Sequence, residues 1–191
     1  LPNKEVEQLG VGDGELAVRF KQGDRAALSA FAARYMDRAF YMALALLGNV
    51  EDARDAAQEA FLRAFKRRRT FDSMRPFLPW FYRILKNLCM DRLRVDSRWE
   101  CNLEEVPLDL KEGSMDIETE LERKELRAMV WRAILSLKPI HREIIILRHF
   151  EGLSYAELSE VLGISRGTVM SRLYHARSEL RSSLADLLDE I

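Results

Sequence analysis

The amino-acid sequence predicts an all-α chain made of two small helical domains joined by a flexible linker. Apolar residues recur at helical spacing from Glu15 to Arg98, and again from about Ile117 onward. Only nine Gly and five Pro interrupt the 191 residues. From Trp99 to Asp116 the periodicity fails, Pro107 and Gly113 punctuate, and acidic residues accumulate, which reads as an interdomain connection. The expected division is therefore 13–98, an acidic linker 99–116, and 117–191.

In the first domain the breaks fall at Gly23 and at Gly48-Asn49, where Asp24 and Asn49 are placed to cap the helices that follow. The helix from about Glu51 to Arg67 buries Ala53, Ala56, Ala57, Ala60, Phe61 and Ala64. Its outer face carries Asp52, Asp55, Gln58, Glu59 and Leu62. A large apolar side chain ringed by acids fits docking on another protein, and it also fits one ordinary exposed leucine. The same carboxylates share a face, but His141, His149 and His175 are scattered, so no metal site is expected.

Thr70 to Pro79 reads as a structured loop feeding a helix from about Trp80 to Arg98. Phe81, Ile84, Leu85, Leu88 and Val95 form that helix's inward stripe, leaving Arg83, Lys86, Asn87, Met90 and Arg94 outward. With Phe71, Arg75, Phe77, Trp80 and Tyr82 nearby, cations and aromatics interleave as single-stranded nucleic acid requires: phosphates are tracked while bases stack. Core aromatics beside solvated arginines would give the same pattern.

In the second domain Pro139 starts a helix that ends at Glu151-Gly152. Ser154-Tyr155-Ala156-Glu157 has the capping-box arrangement and opens a short helix that Gly163 closes. Ser165 is placed to cap the next helix, in which Val169, Leu173, Ala176, Leu180, Leu184 and Leu187 form an apolar stripe. The opposite side shows Gly167, Ser171, Tyr174 and Ser178 flanked by Arg166, Met170 and His175, while Arg172, Arg177 and Arg181 lie toward the flanks. Short polar residues can approach base edges in a major groove, and flanking arginines suit phosphates.

Formal net charge is −1, but the charge is segregated: basic residues crowd positions 63–98 and acidic ones positions 100–122. A local basic field can hold phosphates while the whole molecule grips DNA weakly by itself, as a protein that needs a partner first would. No apolar run approaches the roughly 20 residues of a membrane span, and the N-terminus lacks a signal-peptide layout, so a cytoplasmic location is expected. Cys89 and Cys101 have neither metal nor redox spacing.

Asp52 to Arg67 (DARDAAQEAFLRAFKR), Pro79 to Arg92 (PWFYRILKNLCMDR) and Phe150 to Arg177 (FEGLSYAELSEVLGISRGTVMSRLYHAR) resemble conserved regions 2.2, 2.3/2.4 and 4.2 of extracytoplasmic-function, group 4, sigma factors of the sigma-70 family. The resemblance implies a region 2 bundle and a region 4 helix-turn-helix that together direct promoter-specific transcription initiation. It implies core RNA polymerase as partner, through the clamp of the largest subunit and the flap of the second-largest, with promoter DNA and an anti-sigma factor as further partners. It implies no cofactor, no metal, no small-molecule substrate and no enzymatic activity.

Carried onto matching positions, the resemblance gives polymerase docking to Asp52, Asp55, Gln58, Glu59 and Leu62. Minus-ten DNA falls to Asp72, Ser73, Met74, Arg75, Arg83, Lys86, Asn87 and Arg94, and the minus-thirty-five duplex to Arg166, Ser171, Arg172, Tyr174 and His175. The alternative is a stand-alone helix-turn-helix transcriptional regulator that binds operators without polymerase.

Overall fold

The computed structural model describes residues 13–95 and 117–189. Helix α1 (Asp13–Gln22) turns at Gly23, whose φ of 92° is open to glycine, into α2 (Arg25–Leu47). Asp24 caps α2 by accepting from the amides of Ala26 and Ala27. Arg19 pairs with this carboxylate and, with those amides, holds its pKa below the usual range.

Gly48 ends α2 in the left-handed region, and the Asn49 side chain opens α3 (Val50–Lys66) by accepting from the Asp52 amide. Ala53, Ala56, Ala57, Ala60 and Ala64 are buried along one side of α3. Side chains this short let it pack closely on α2.

One short 3-10 turn (Arg68–Thr70) leads to the loop before α4 (Phe77–Val95). This helix begins three residues before the expected Trp80. Pro79 lies in its first turn, where a missing amide hydrogen costs nothing. The rings of Phe31 and Phe77 stack at 4.1 Å, with Phe20, Phe71 and Phe81 packed around them. Phe71, Phe77 and Tyr82 are each about 1% exposed. Their expected place among base-stacking aromatics is therefore corrected: burial in the core outweighs the loop position of the first two.

The second unit comprises α5 (Ile117–Ser136), α6 (Pro139–Ile145) widening into a π-type turn (Ile146–Phe150), α7 (Tyr155–Leu162) and α8 (Arg166–Asp189). The capping box at Ser154 and Glu157 forms in both directions, and Gly163 closes α7 with φ 66°. Ser165 accepts from the Thr168 amide at the start of α8. Glu179 of α8 binds His141 of α6, and Ser183 binds Ser136, which ties the helix pair to the rest of the unit.

The two units share one continuous buried cluster. Tyr41 of α2 stacks on Trp131 of α5 at 4.8 Å, and Arg142 of α6, wholly buried, lies close to Gly48 at the end of α2. The expected linker 99–116, with Arg98 and Cys101, lies outside the described residues. Cys89 is fully buried on α4, and burial pushes its thiol up to about 12.

Candidate nucleic-acid and polymerase interfaces

On α3 the alanine stripe turns the opposite face outward. Leu62 is 59% exposed there, with Asp52, Asp55 and Gln58 exposed and Glu59 half-buried around it. Arg92 of α4 reaches across to Glu59 (3.1 Å) and Asp52 (3.9 Å), and Arg63 holds Glu59 at 2.6 Å. Burial raises the Glu59 pKa, but Arg92 and Arg63 outweigh it, so Glu59 stays ionised below the usual range. These pairs hold two of the three rim carboxylates, those of Asp52 and Glu59, and leave the leucine exposed beside them. A single apolar anchor in a preordered polar ring is a protein-docking geometry.

The loop before α4 is built on Asp72, whose side chain accepts from the Met74 amide (3.0 Å) while its carbonyl accepts from the Arg75 amide (3.0 Å). This turn throws Met74 outward, 91% exposed, and leaves Ser73 half-buried. Behind it lies a cavity of about 260 Å³ whose walls include Phe71, Arg75, Trp80 and Arg83. Of the aromatics read as stacking groups, Trp80 is the one that stays half-exposed and reaches this cavity.

Arg83, Asn87 and Arg94 are exposed along α4, with Arg94 beside Asp91 at 3.8 Å; Lys86 is half-buried. These side chains share one side of α4, as their spacing predicts. The charges there are engaged from across the molecule. Glu160 of α7 approaches Arg75 at 3.1 Å and Arg83 at 3.4 Å, and its carbonyl accepts from Arg83 at 3.1 Å. Lys86 reaches Glu143 of α6 at 2.6 Å, and the Tyr82 hydroxyl donates to the same carboxylate at 2.8 Å. Burial, and then the Glu143 charge, push the Tyr82 pKa well up, so its hydroxyl keeps its proton as a donor.

Arg38 of α2 meets Glu151 at 2.5 Å. Burial raises the Glu151 pKa more than Arg38 lowers it. The partners Arg38, Glu143, Glu151 and Glu160 were not visible to sequence reasoning. Pairing across 61 to 113 positions has no local signature.

On α8, Val169, Leu173 and Ala176 are buried, while Arg166, Met170, Ser171, Tyr174 and His175 are exposed and Arg172 is half-buried. Tyr174, at 72% exposure, lies edge-on to His175. Arg177 donates to His149, whose own pKa is lowered by burial and by the neighbouring Arg177 and Arg148 charges. The first three turns of α8 thus present polar and flat side chains on a rigid, twice-capped scaffold. That shape fits a DNA groove. Among the described residues, no group of three or more His, Cys, Asp or Glu is placed to hold a metal ion.

Comparison with known proteins gives concordant matches for both units. A family model for sigma-70 region 2 matches residues 21–99, and one for sigma-70 region 4 matches residues 127–180. The chain is 34% identical over 176 residues to the ECF RNA polymerase sigma factor SigW of Bacillus subtilis, covering 87% of this chain and 94% of that protein. The solved structure of CnrH in complex with the cytosolic domain of CnrY is similar at 27% identity and TM-score 0.62, covering 93% and 97% of the two chains. The sigma factor RpoE of Bartonella quintana, solved with the anti-sigma factor NepR, shares the fold at 22% identity and TM-score 0.66, covering 82% and 96%.

Proposed function

The chain belongs to the extracytoplasmic-function sigma factors of the sigma-70 family, and on that premise we propose how its surfaces divide promoter-specific initiation by RNA polymerase. The acid-ringed Leu62 face docks on the clamp of the largest polymerase subunit, and the second unit meets the flap of the second-largest. The Asp72 to Arg75 loop, with Arg83, Lys86, Asn87 and Arg94, takes the unpaired minus-ten strand. Arg166, Ser171, Arg172, Tyr174 and His175 read the minus-thirty-five duplex.

The single observation that carries this division is the coexistence in one chain of an exposed leucine anchor on α3 and a capped helix-turn-helix. At 59% exposure the leucine adds little to the core, and together with the helix-turn-helix it supports a factor that bridges an enzyme and DNA. Likeness to sigma factors along nearly the whole chain sets aside the stand-alone regulator. Only residues 100–126 separate the two matched regions, too few for a third conserved domain of about 50 residues or more, which supports group 4. The chain supplies selection and not chemistry, and works in the cytoplasm beside the polymerase. No helix among the described residues is long and apolar enough to cross a membrane. An anti-sigma factor holds it inactive, a reading supported by the partner-bound state of the RpoE structure.

The test is transcription in vitro with core polymerase on host promoter fragments. Leu62→Glu is expected to lower core association by tenfold or more, about 1.4 kcal/mol or greater, with unchanged circular dichroism. Normal association by that variant would remove the docking assignment.

A further inference from the structure

Two large apolar side chains of α8 lie off its buried stripe of Val169, Leu173 and Ala176: Met170 is 58% exposed and Tyr174 72% exposed. Four residues apart on one helix, they have Cβ atoms about 5–6 Å from each other, so the thioether and the ring form one apolar strip. Gly167 and Ser171 beside them are short and exposed. Beyond the helix itself, only the Ser165 hydroxyl, at 3.8 Å, would lie near a Cβ at Gly167. Met170 and Tyr174 therefore project above their neighbours, on a first turn that the Ser165 cap holds in place.

The chemistry of Met170 narrows what it can meet in a groove. It carries no charge and no hydrogen-bond donor, and its sulfur is only a weak acceptor. It can neither hold a phosphate nor donate to the N7 and O6 acceptors of guanine. Among the groups on base edges in the major groove, the thymine C5-methyl is the apolar one. Arg166 and Arg177, both exposed, lie along the same edge of α8 at helical spacing. Guanidinium groups placed there favour an anionic duplex over a protein as the occupant of the strip.

On the reading of α8 as the minus-thirty-five helix, we propose that Met170 is a specificity-determining residue that seats a thymine methyl in the major groove, with the Tyr174 ring as the neighbouring wall. The element under α8 then holds an A·T pair facing Met170. The pair also has a fixed orientation, because thymine and adenine present different groups to the major groove. Arg166, Ser171 and His175 supply polar contacts around a methyl contact that none of them can make.

The experiment measures binding of the full chain, assembled with core polymerase, to a host promoter duplex in which each thymine of the minus-thirty-five element is replaced in turn by deoxyuridine. This change keeps the base pair and removes only the methyl. At one position the parent is expected to lose about fourfold in affinity, the factor for one buried methyl-sized group. Met170→Ala is expected to bind the thymine and deoxyuridine forms of that position equally, and Met170→Leu to keep the preference for thymine. No loss at any position, a loss that Met170→Ala shares in full, or an element without an A·T pair overturns the proposal. Lost core association by Met170→Ala also overturns it, since the strip would then be a protein contact. A duplex with a scrambled minus-thirty-five element separates this contact from the role of α8. Equal binding of scrambled and intact duplexes by the parent would discard the role and the contact together, whereas discrimination by the parent with an unaltered deoxyuridine pattern in Met170→Ala would discard the Met170 contact alone.

Discussion

The two surfaces assigned to DNA stand in opposite states. On the first unit, Arg75, Arg83 and Lys86 each end on a carboxylate of the second unit. On α8, Arg166 and Arg172 have no ion-pair partner among the described residues, and Ser171, Tyr174 and His175 face outward. Both surfaces were read from the same kind of signal, a polar side opposite an apolar stripe. The contrast teaches that periodicity orients a side chain relative to its own helix, while occupancy is decided by whatever the rest of the chain lays against it.

The sharpest way to break this contrast is at Glu143, which is 6% exposed and accepts from both Tyr82 and Lys86. Glu143→Ala leaves a buried hydroxyl and a half-buried ammonium without their acceptor. The packed arrangement should weaken by about 3 kcal/mol, measured as lost energy transfer between dyes on the two units, with helical content retained. Unchanged transfer would mean that the packed arrangement is held by apolar contacts alone.

On the open surface a smaller effect is expected. Arg172→Ala should weaken binding to minus-thirty-five duplex in the holoenzyme by about 2 kcal/mol and leave single-strand binding untouched. Equal losses on both DNA forms would show that the two surfaces do not act separately.

The smallest effect concerns pH. The Glu151 pKa is raised in the packed arrangement because burial outweighs Arg38, so this arrangement holds the proton more tightly than a parted one. Its contribution is full below the usual carboxylate range and is lost as pH rises through the raised value. Glu59 and Glu179, whose pKa values are lowered, pair inside their own units, so their support, lost as pH falls, goes to each unit's fold and not to the packing between units. Comparing parent with Glu151→Gln across this range isolates the Glu151 slope, which the variant should lack.

Much of the scaffold was legible because its signals are local. Asp24, Asn49 and Ser154 cap where their types predict, Gly48 and Gly163 take left-handed conformations, and the alanine stripe of α3 is buried. Leu62 was legible for the same reason, since a helix projection alone exposes it. The loop aromatics were not. Phe71 and Phe77 lie where no periodicity assigns a side, and their burial depends on Phe20 and Phe31 from distant helices. Arg142 was equally hidden: seven residues of α6 are too few to show a stripe, and this helix is covered by both units.

The stacked rings of Tyr41 and Trp131 carry a further consequence. They belong to different units, so parting uncovers a greasy patch that a lone molecule in a crowded cell would have to keep wet. Folding the halves together keeps this apolar surface covered, and a parted form would need another surface to take its place.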